Sequence, residues 1–238
     1  MTRRTFRLPS ALAVALVGAS LAALSAQRAP IVQQLAFVPY HANGISGVAV
    51  PNTRDGVSAT PPRTATRAAA LEALRAREPD PERIAHALAV EATMRGMAGR
   101  LGGNADEWGL AGLLHDIDLA QTRDDPARHG VVGAKLIAEL GFGAAVAQAV
   151  AAHDDSAGVP RRTPMEHALY CADRAFWAIR ASGVRAEKGA KPPAATAVIQ
   201  GLAEKGITDR IDRKLEEACA ALGLTVEELL AVSLSVSL

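Results

Sequence analysis

Six side chains in this sequence can hold a cation or move a proton, and they recur at intervals through its middle: His86, His115, Asp116, His129, His153 and Asp173. Each falls on an apolar stripe of a helix-period segment. His86 shares a face with Val90, Met94 and Met97. His129 opens the face of Val132, Leu136 and Leu140. His153 follows Val146 and Ala149 at helical spacing, and Asp173 comes four residues after Leu169 and three before Phe176. One inward histidine is most simply a satisfied core residue. Four inward histidines and two inward aspartates on successive helices are different, because burying that many ionisable groups unpaired is costly. A shared cation satisfies them together. Neutral imidazole and carboxylate suit one or two divalent ions of Fe, Mn, Co, Ni or Zn, and Mg is also compatible. The adjacent pair His115-Asp116 adds a constraint. Neighbours on a regular helix diverge by about 100°, so both can face one ion only where a helix ends.

The elements that must position these residues read as helices throughout from Thr66, with no convincing period-two alternation, so the fold class expected is all-α. Asp80-Pro81-Glu82 starts a helix that runs to about Leu101 and stops at Gly102-Gly103. Asn104 caps the next, which carries Leu113 and Leu114 up to His115-Asp116. A polar loop is expected from Asp118 to Pro126, then helices over Arg128 to Leu140, Ala144 to His153 and Pro164 to Ala181. A Gly/Lys/Pro-rich loop from Gly183 to Pro193 precedes helices near 195–204 and 209–222, and Thr225 with Glu228 forms a capping box for the last.

The 238 residues carry a net charge of +1, so the overall balance gives no sign of a specific nucleic-acid partner. Two cysteines, Cys171 and Cys219, cannot build a disulfide framework. Residues 1–26 have a signal-like anatomy: paired arginines at Arg3-Arg4, then an apolar run from Ala11 to Leu24 that is short for a stable transmembrane span. Residues 27–65 lack helical period and read as a mostly unstructured linker to a domain over 66–235. Two readings follow: a cytoplasmic protein with a dispensable or misassigned N-terminus, or export through a twin-arginine-like signal. Oligomeric state is left open.

His86, then Leu113-Leu114-His115-Asp116-Ile117-Asp118, then Asp173 resembles the ordered H…HD…D pattern of the HD-domain superfamily of metal-dependent phosphohydrolases. The stretches Gly109 to Asp118, Asp124 to Gly130 and Ala168 to Arg174 are similar to the small HDIG-type hydrolases, with HDID here in place of HDIG. The resemblance implies an HD-type helical bundle in which His86, His115, Asp116 and Asp173 hold a first metal. It also implies that Asp116 bridges to a second ion held by His129 and His153, as in the two-metal branch. Asp154 follows the fourth histidine, and no GYP signature is present, which argues against a cyclic-di-GMP phosphodiesterase.

The expected activity is hydrolysis of a phosphoester, a nucleotide or a small phosphate ester, by a metal-activated water. Asp116 and Asp118 are the catalytic candidates, with Asp118 orienting the water or acting as base. Arg128, Arg161 and Arg174 are candidates for substrate phosphate, while His167 reads as a surface or supporting residue and Trp108 and Trp177 as core anchors. Two alternatives share this ligand set: an HD-fold di-iron oxygenase and a non-catalytic nucleotide-binding regulatory module.

Overall fold

The computed structural model describes residues 65–185 and 190–236. The signal-like segment and all but the last residue of the linker lie outside the described residues, as does part of the Gly183 to Pro193 loop. Among the described residues there are ten α-helices, two 3-10 turns and no strand, so the domain is all-α.

The long helices start and stop where their local chemistry dictates. Thr66 caps α1 (Arg67–Arg75). Asp80 accepts from Glu82 N to begin α2 (Pro81–Leu101), and Gly102 ends it in the left-handed conformation. Asn104 accepts from Asp106 N and Glu107 N at the start of α3 (Ala105–Leu114). A short α4 (Leu119–Thr122) and a 3-10 turn (Pro126–Arg128) occupy the stretch expected as an irregular loop. The following helix, α5 (Val131–Leu140), begins three residues later than the periodicity suggested. The reason is Gly130, whose φ of +74° interrupts the helix. A Cβ there would also sit 2.6 Å from Val150 O, so the close approach of two segments requires glycine.

Helix α6 (Ala144–Ala151) ends two residues short of His153. A full capping box of Thr163 and Glu166 opens α7 (Pro164–Ser182). Then come α8 (Ala195–Glu204), a second 3-10 turn (Thr208–Arg210), α9 (Arg213–Ala221) and α10 (Val226–Val236). The expected 209–222 helix is thus split, because Asp212 caps α9 by accepting from Leu215 N. The Thr225 and Glu228 box forms as expected. No single described helix is long and apolar enough to cross a membrane.

Helices α2 and α7 are central. The first packs on α3, α7 and α10, and the second also on α8 and α9. Gly112 lets α3 lie directly on α2, since a Cβ there would meet Glu91 Cα at 2.8 Å. Glu91, 3% exposed, is held between Arg67 and Arg95, and Arg95 also reaches Asp106, which ties α1, α2 and α3 together. Cys171 on α7 and Cys219 on α9 are free, buried thiols with sulfurs 3.7 Å apart.

Candidate metal centre

The six residues converge beside α2 and α7. His86 projects from α2, on a face whose Val90, Met94 and Met97 are fully buried. Helix α3 ends at Leu114, His115 is its C-cap, and turns through Ile117 and Leu119 separate it from α4. This break in the helix is what allows both His115 and Asp116 to face the same space. His129 lies outside the helix expected to begin at Arg128; it follows the 3-10 turn in extended conformation. His153 follows α6, and Asp173 comes from the middle of α7.

Asp116 lies at the centre, and its two oxygens face different partners. Oδ2 is 3.6 Å from His86 Nε2 and 3.3 Å from His115 Nε2. Oδ1 is 3.2 Å from His129 Nε2 and 3.7 Å from His153 Nε2. Asp173 Oδ1 closes the first group, 3.2 Å from His86 Nε2 and 3.8 Å from His115 Nε2. The imidazoles of His86 and His115 meet Nε2 to Nε2 at 2.9 Å. Two groups, His86 with His115 and Asp116, and Asp116 with His129 and His153, could therefore each hold a metal ion. Donors about 2.0–2.2 Å from an ion stand about 3–3.4 Å apart around it, close to these separations.

The donor chemistry fits a cation. His115 Nδ1 donates to Gly112 O at 2.8 Å and His153 Nδ1 to Val150 O at 2.7 Å. In the neutral rings each Nε2 is then a bare lone pair aimed at a carboxylate oxygen. Lone pair against anion is repulsive unless a positive centre lies between them. His129 Nδ1 in turn lies 3.0 Å from Asp118 Oδ1, a carboxylate that orients the ring from behind. His86 differs, because its buried Nδ1 has no partner. Its ring is held by packing, edge-on to Phe176 at 4.4 Å and tilted on Trp177 at 5.1 Å between centroids.

Where no metal is bound, protons fill the same role. Burial lowers the affinity of His115 for a proton, but the charge and hydrogen bond of Asp116, the charge of Asp173 and the Gly112 carbonyl together outweigh it and push the pKa up to about 9. His129 behaves likewise: burial opposes the proton, hydrogen bonds donated to Asp116 and Asp118 favour it, and the pKa rises to about 10. Burial would raise the Asp116 carboxyl, yet the charge of His115 and the surrounding imidazole hydrogen bonds hold it well below the usual range. The consequence for stability follows from linkage. The unfolded chain releases each histidine proton near 6.5 and the folded chain near 9–10. The stabilisation is thus complete below about 6.5, declines as pH rises, and is gone above the folded pKa. We expect the melting temperature of chelator-treated protein to fall between pH 7 and 10 while that of metal-loaded protein falls less. Parallel curves would contradict this.

The remaining expected site residues separate. Asp118 does not face the site: it is fully buried, with Oδ2 accepting from Gly133 N at 2.8 Å in the first turn of α5 and Oδ1 against His129. It supports the His129 ring and anchors a helix N-terminus, and is shielded from solvent. Arg161 is committed elsewhere too, to Ala152 O, to Asp155 at 2.7 Å and to the face of Tyr170 at 3.9 Å. Arg128 is exposed on the turn before His129. Arg174 does line a small cavity of about 100 Å³ beside His153 and Asp173, with Asp154, Tyr170, Trp177 and Arg210. His167 belongs to neither metal-binding group. Trp108 is buried in the core, whereas Trp177 is half-buried at the edge of the site, against the expectation that both are core anchors. Sequence reasoning missed Tyr170 and Arg210. Tyr170 lay within a quoted motif without a role, and Arg210 carried no signal, being 37 residues beyond Asp173 in an unremarkable polar stretch.

Residues 83–189 match the HD domain family, which supports the HD-domain superfamily for this segment; all six cluster residues fall within it. No curated protein and no solved structure matches the chain.

Proposed function

We propose that this HD-domain-bearing chain is a metal-dependent phosphohydrolase of the HDIG type that binds two divalent transition-metal ions bridged by Asp116. The carrying observation is the division of labour at Asp116, whose Oδ2 faces His86 and His115 while Oδ1 faces His129 and His153. His86, His115, Asp116 and Asp173 would hold one ion, and Asp116, His129 and His153 the other. Such ions supply a water acidic enough to attack near neutral pH and neutralise charge on phosphoryl oxygens.

The chain's own residues do the rest. Gly112 O and Val150 O fix the tautomers of His115 and His153, so their Nε2 atoms stay available as donors. Asp118 keeps His129 turned toward Asp116. Phe176 and Trp177 pack around His86 and limit the approach of water from that side. The cavity beside Asp173 brings Arg174 to the edge of the cluster, where an anionic substrate would arrive.

The test is direct. Purified full-length protein should retain close to two metal equivalents per chain by elemental analysis. Reconstituted with Mn, Co, Ni, Fe or Zn, it should hydrolyse at least one member of a panel of phosphomonoesters, phosphodiesters and nucleotides, and lose that activity to chelator. Oxygen consumption by an iron-loaded protein inert toward the whole panel would favour the oxygenase reading. Absence of bound metal under all these conditions would sink the proposal.

A further inference from the structure

One of the residues that line the cavity beside Asp173 carries a polar atom with nothing to bond to. Tyr170 is 2% exposed, and its hydroxyl is buried without a hydrogen-bond partner. Leaving such a group unpaired is costly, so its occurrence in a residue that lines a cavity is informative. Two guanidinium groups line the same space. Arg174 makes only long ion pairs, 3.6 Å to Asp212 and 4.0 Å to Asp155, and stacks over the Tyr170 ring at 4.7 Å. Arg210 is exposed on the 3-10 turn before α9. Two carboxylates, Asp154 and Asp173, share the wall. Asp173 already faces His86 and His115, and Asp154 accepts from Ser156 N at 2.7 Å.

The geometry points to an oxyanion pocket in which the Tyr170 hydroxyl, Arg174 and Arg210 hold the phosphoryl group of the substrate against the metal centre. This rests on the metal-dependent reading above and names the residues that select its substrate. A hydroxyl donor and two guanidinium forks are what a tetrahedral oxyanion requires. The size of the cavity limits the occupant. Pockets that enclose whole small molecules measure roughly 300–1,000 Å³, against about 100 Å³ here. The phosphoryl group is enclosed and the organic remainder stays outside, so discrimination is strong for the phosphoryl end and weak for what it is attached to. Arg210 also lies beyond the segment that matches the HD domain, so this chain brings a cation to the site from its C-terminal helices.

Inorganic phosphate titrated calorimetrically into the full-length, metal-loaded protein tests the pocket, with metal content measured on each sample. Arg210→Gln should weaken phosphate by about tenfold or more and Tyr170→Phe by about three- to tenfold, with metal content and far-UV circular dichroism unchanged. Arg213→Gln is the control: Arg213 is exposed, pairs with Glu217 on α9 and does not line the cavity, so this variant should bind as wild type. The pocket is refuted if metal-loaded wild type does not bind phosphate. It is refuted equally if Arg210→Gln and Tyr170→Phe stay within about twofold of wild type, or if the control loses as much as Arg210→Gln. Phosphate binding that depends on Arg210 in a protein that takes up no metal would leave the pocket standing and remove the metal-dependent reading.

Discussion

Asp116→Ala should remove bound metal and phosphoesterase activity together. Activity should fall by about 10³-fold or more, the scale seen when a preorganised electrostatic group is deleted, and metal content should approach zero. The size of the effect comes from position. This carboxylate is the one member common to both candidate metal-binding groups, so its loss takes a donor from each at once. It also takes away the negative charge that would offset the two proposed cations. The fold should survive, because Asp116 lies in the turn after α3 outside the apolar core, and circular dichroism should match wild type. A second readout is independent of turnover. Without Asp116 the main influence raising the His115 pKa disappears and burial dominates, so the alkaline decline in melting temperature of the chelated protein should flatten. A variant that keeps its metal and activity within a few-fold of wild type would show that the chemistry lies elsewhere.

His129→Ala should divide the site. The first group does not include His129, so one metal equivalent should remain and the second be lost. Elemental analysis should then read about one ion, against the two expected for wild type. Activity should drop by at least about 10²-fold, because a single ion cannot stabilise both ends of the reacting bond. This substitution also strips Asp118 of its partner. Asp118 is 0% exposed and Oδ1 faces His129, so its carboxylate is left uncompensated at a cost of about 1–3 kcal/mol or more. Adding Asp118→Asn to His129→Ala should recover part of that stability without restoring the second ion. Recovery of stability and metal together would mean that His129 is a structural residue, and retention of both ions by His129→Ala would contradict the bridged arrangement.

The helices carrying the cluster could be read from local chemistry because their boundaries are local events. Asp80 before Pro81, Gly102 after Leu101, Asn104 before Ala105 and the Thr225 and Glu228 box all act within one turn of the residues they cap. Where a distant contact decides, local reading falls short. The helix expected from Arg128 begins at Val131 because Gly130 must pass Val150 O, a residue 20 positions away. Asp118 has the spacing of a catalytic group beside an HD pair. Only the folded chain shows that it is buried, with Gly133 N on one oxygen and the His129 ring against the other. Arg161 reads as a free cation until Asp155 and Tyr170 are seen around it.

Local sequence was enough to establish that helices would form, that they would present histidines and aspartates on their apolar faces, and that helix α3 would stop at the His115-Asp116 pair. Those properties depend on side-chain spacing and end caps, which act over a few residues. Tertiary structure decided which oxygen of Asp116 faces which imidazole, which carboxylate supports a ligand instead of facing the site, and which cations reach the cavity beside Asp173. Those depend on the approach of helices far apart in the chain, set by packing such as the backbone contact that Gly112 permits between α3 and α2, and no short-range pattern records it.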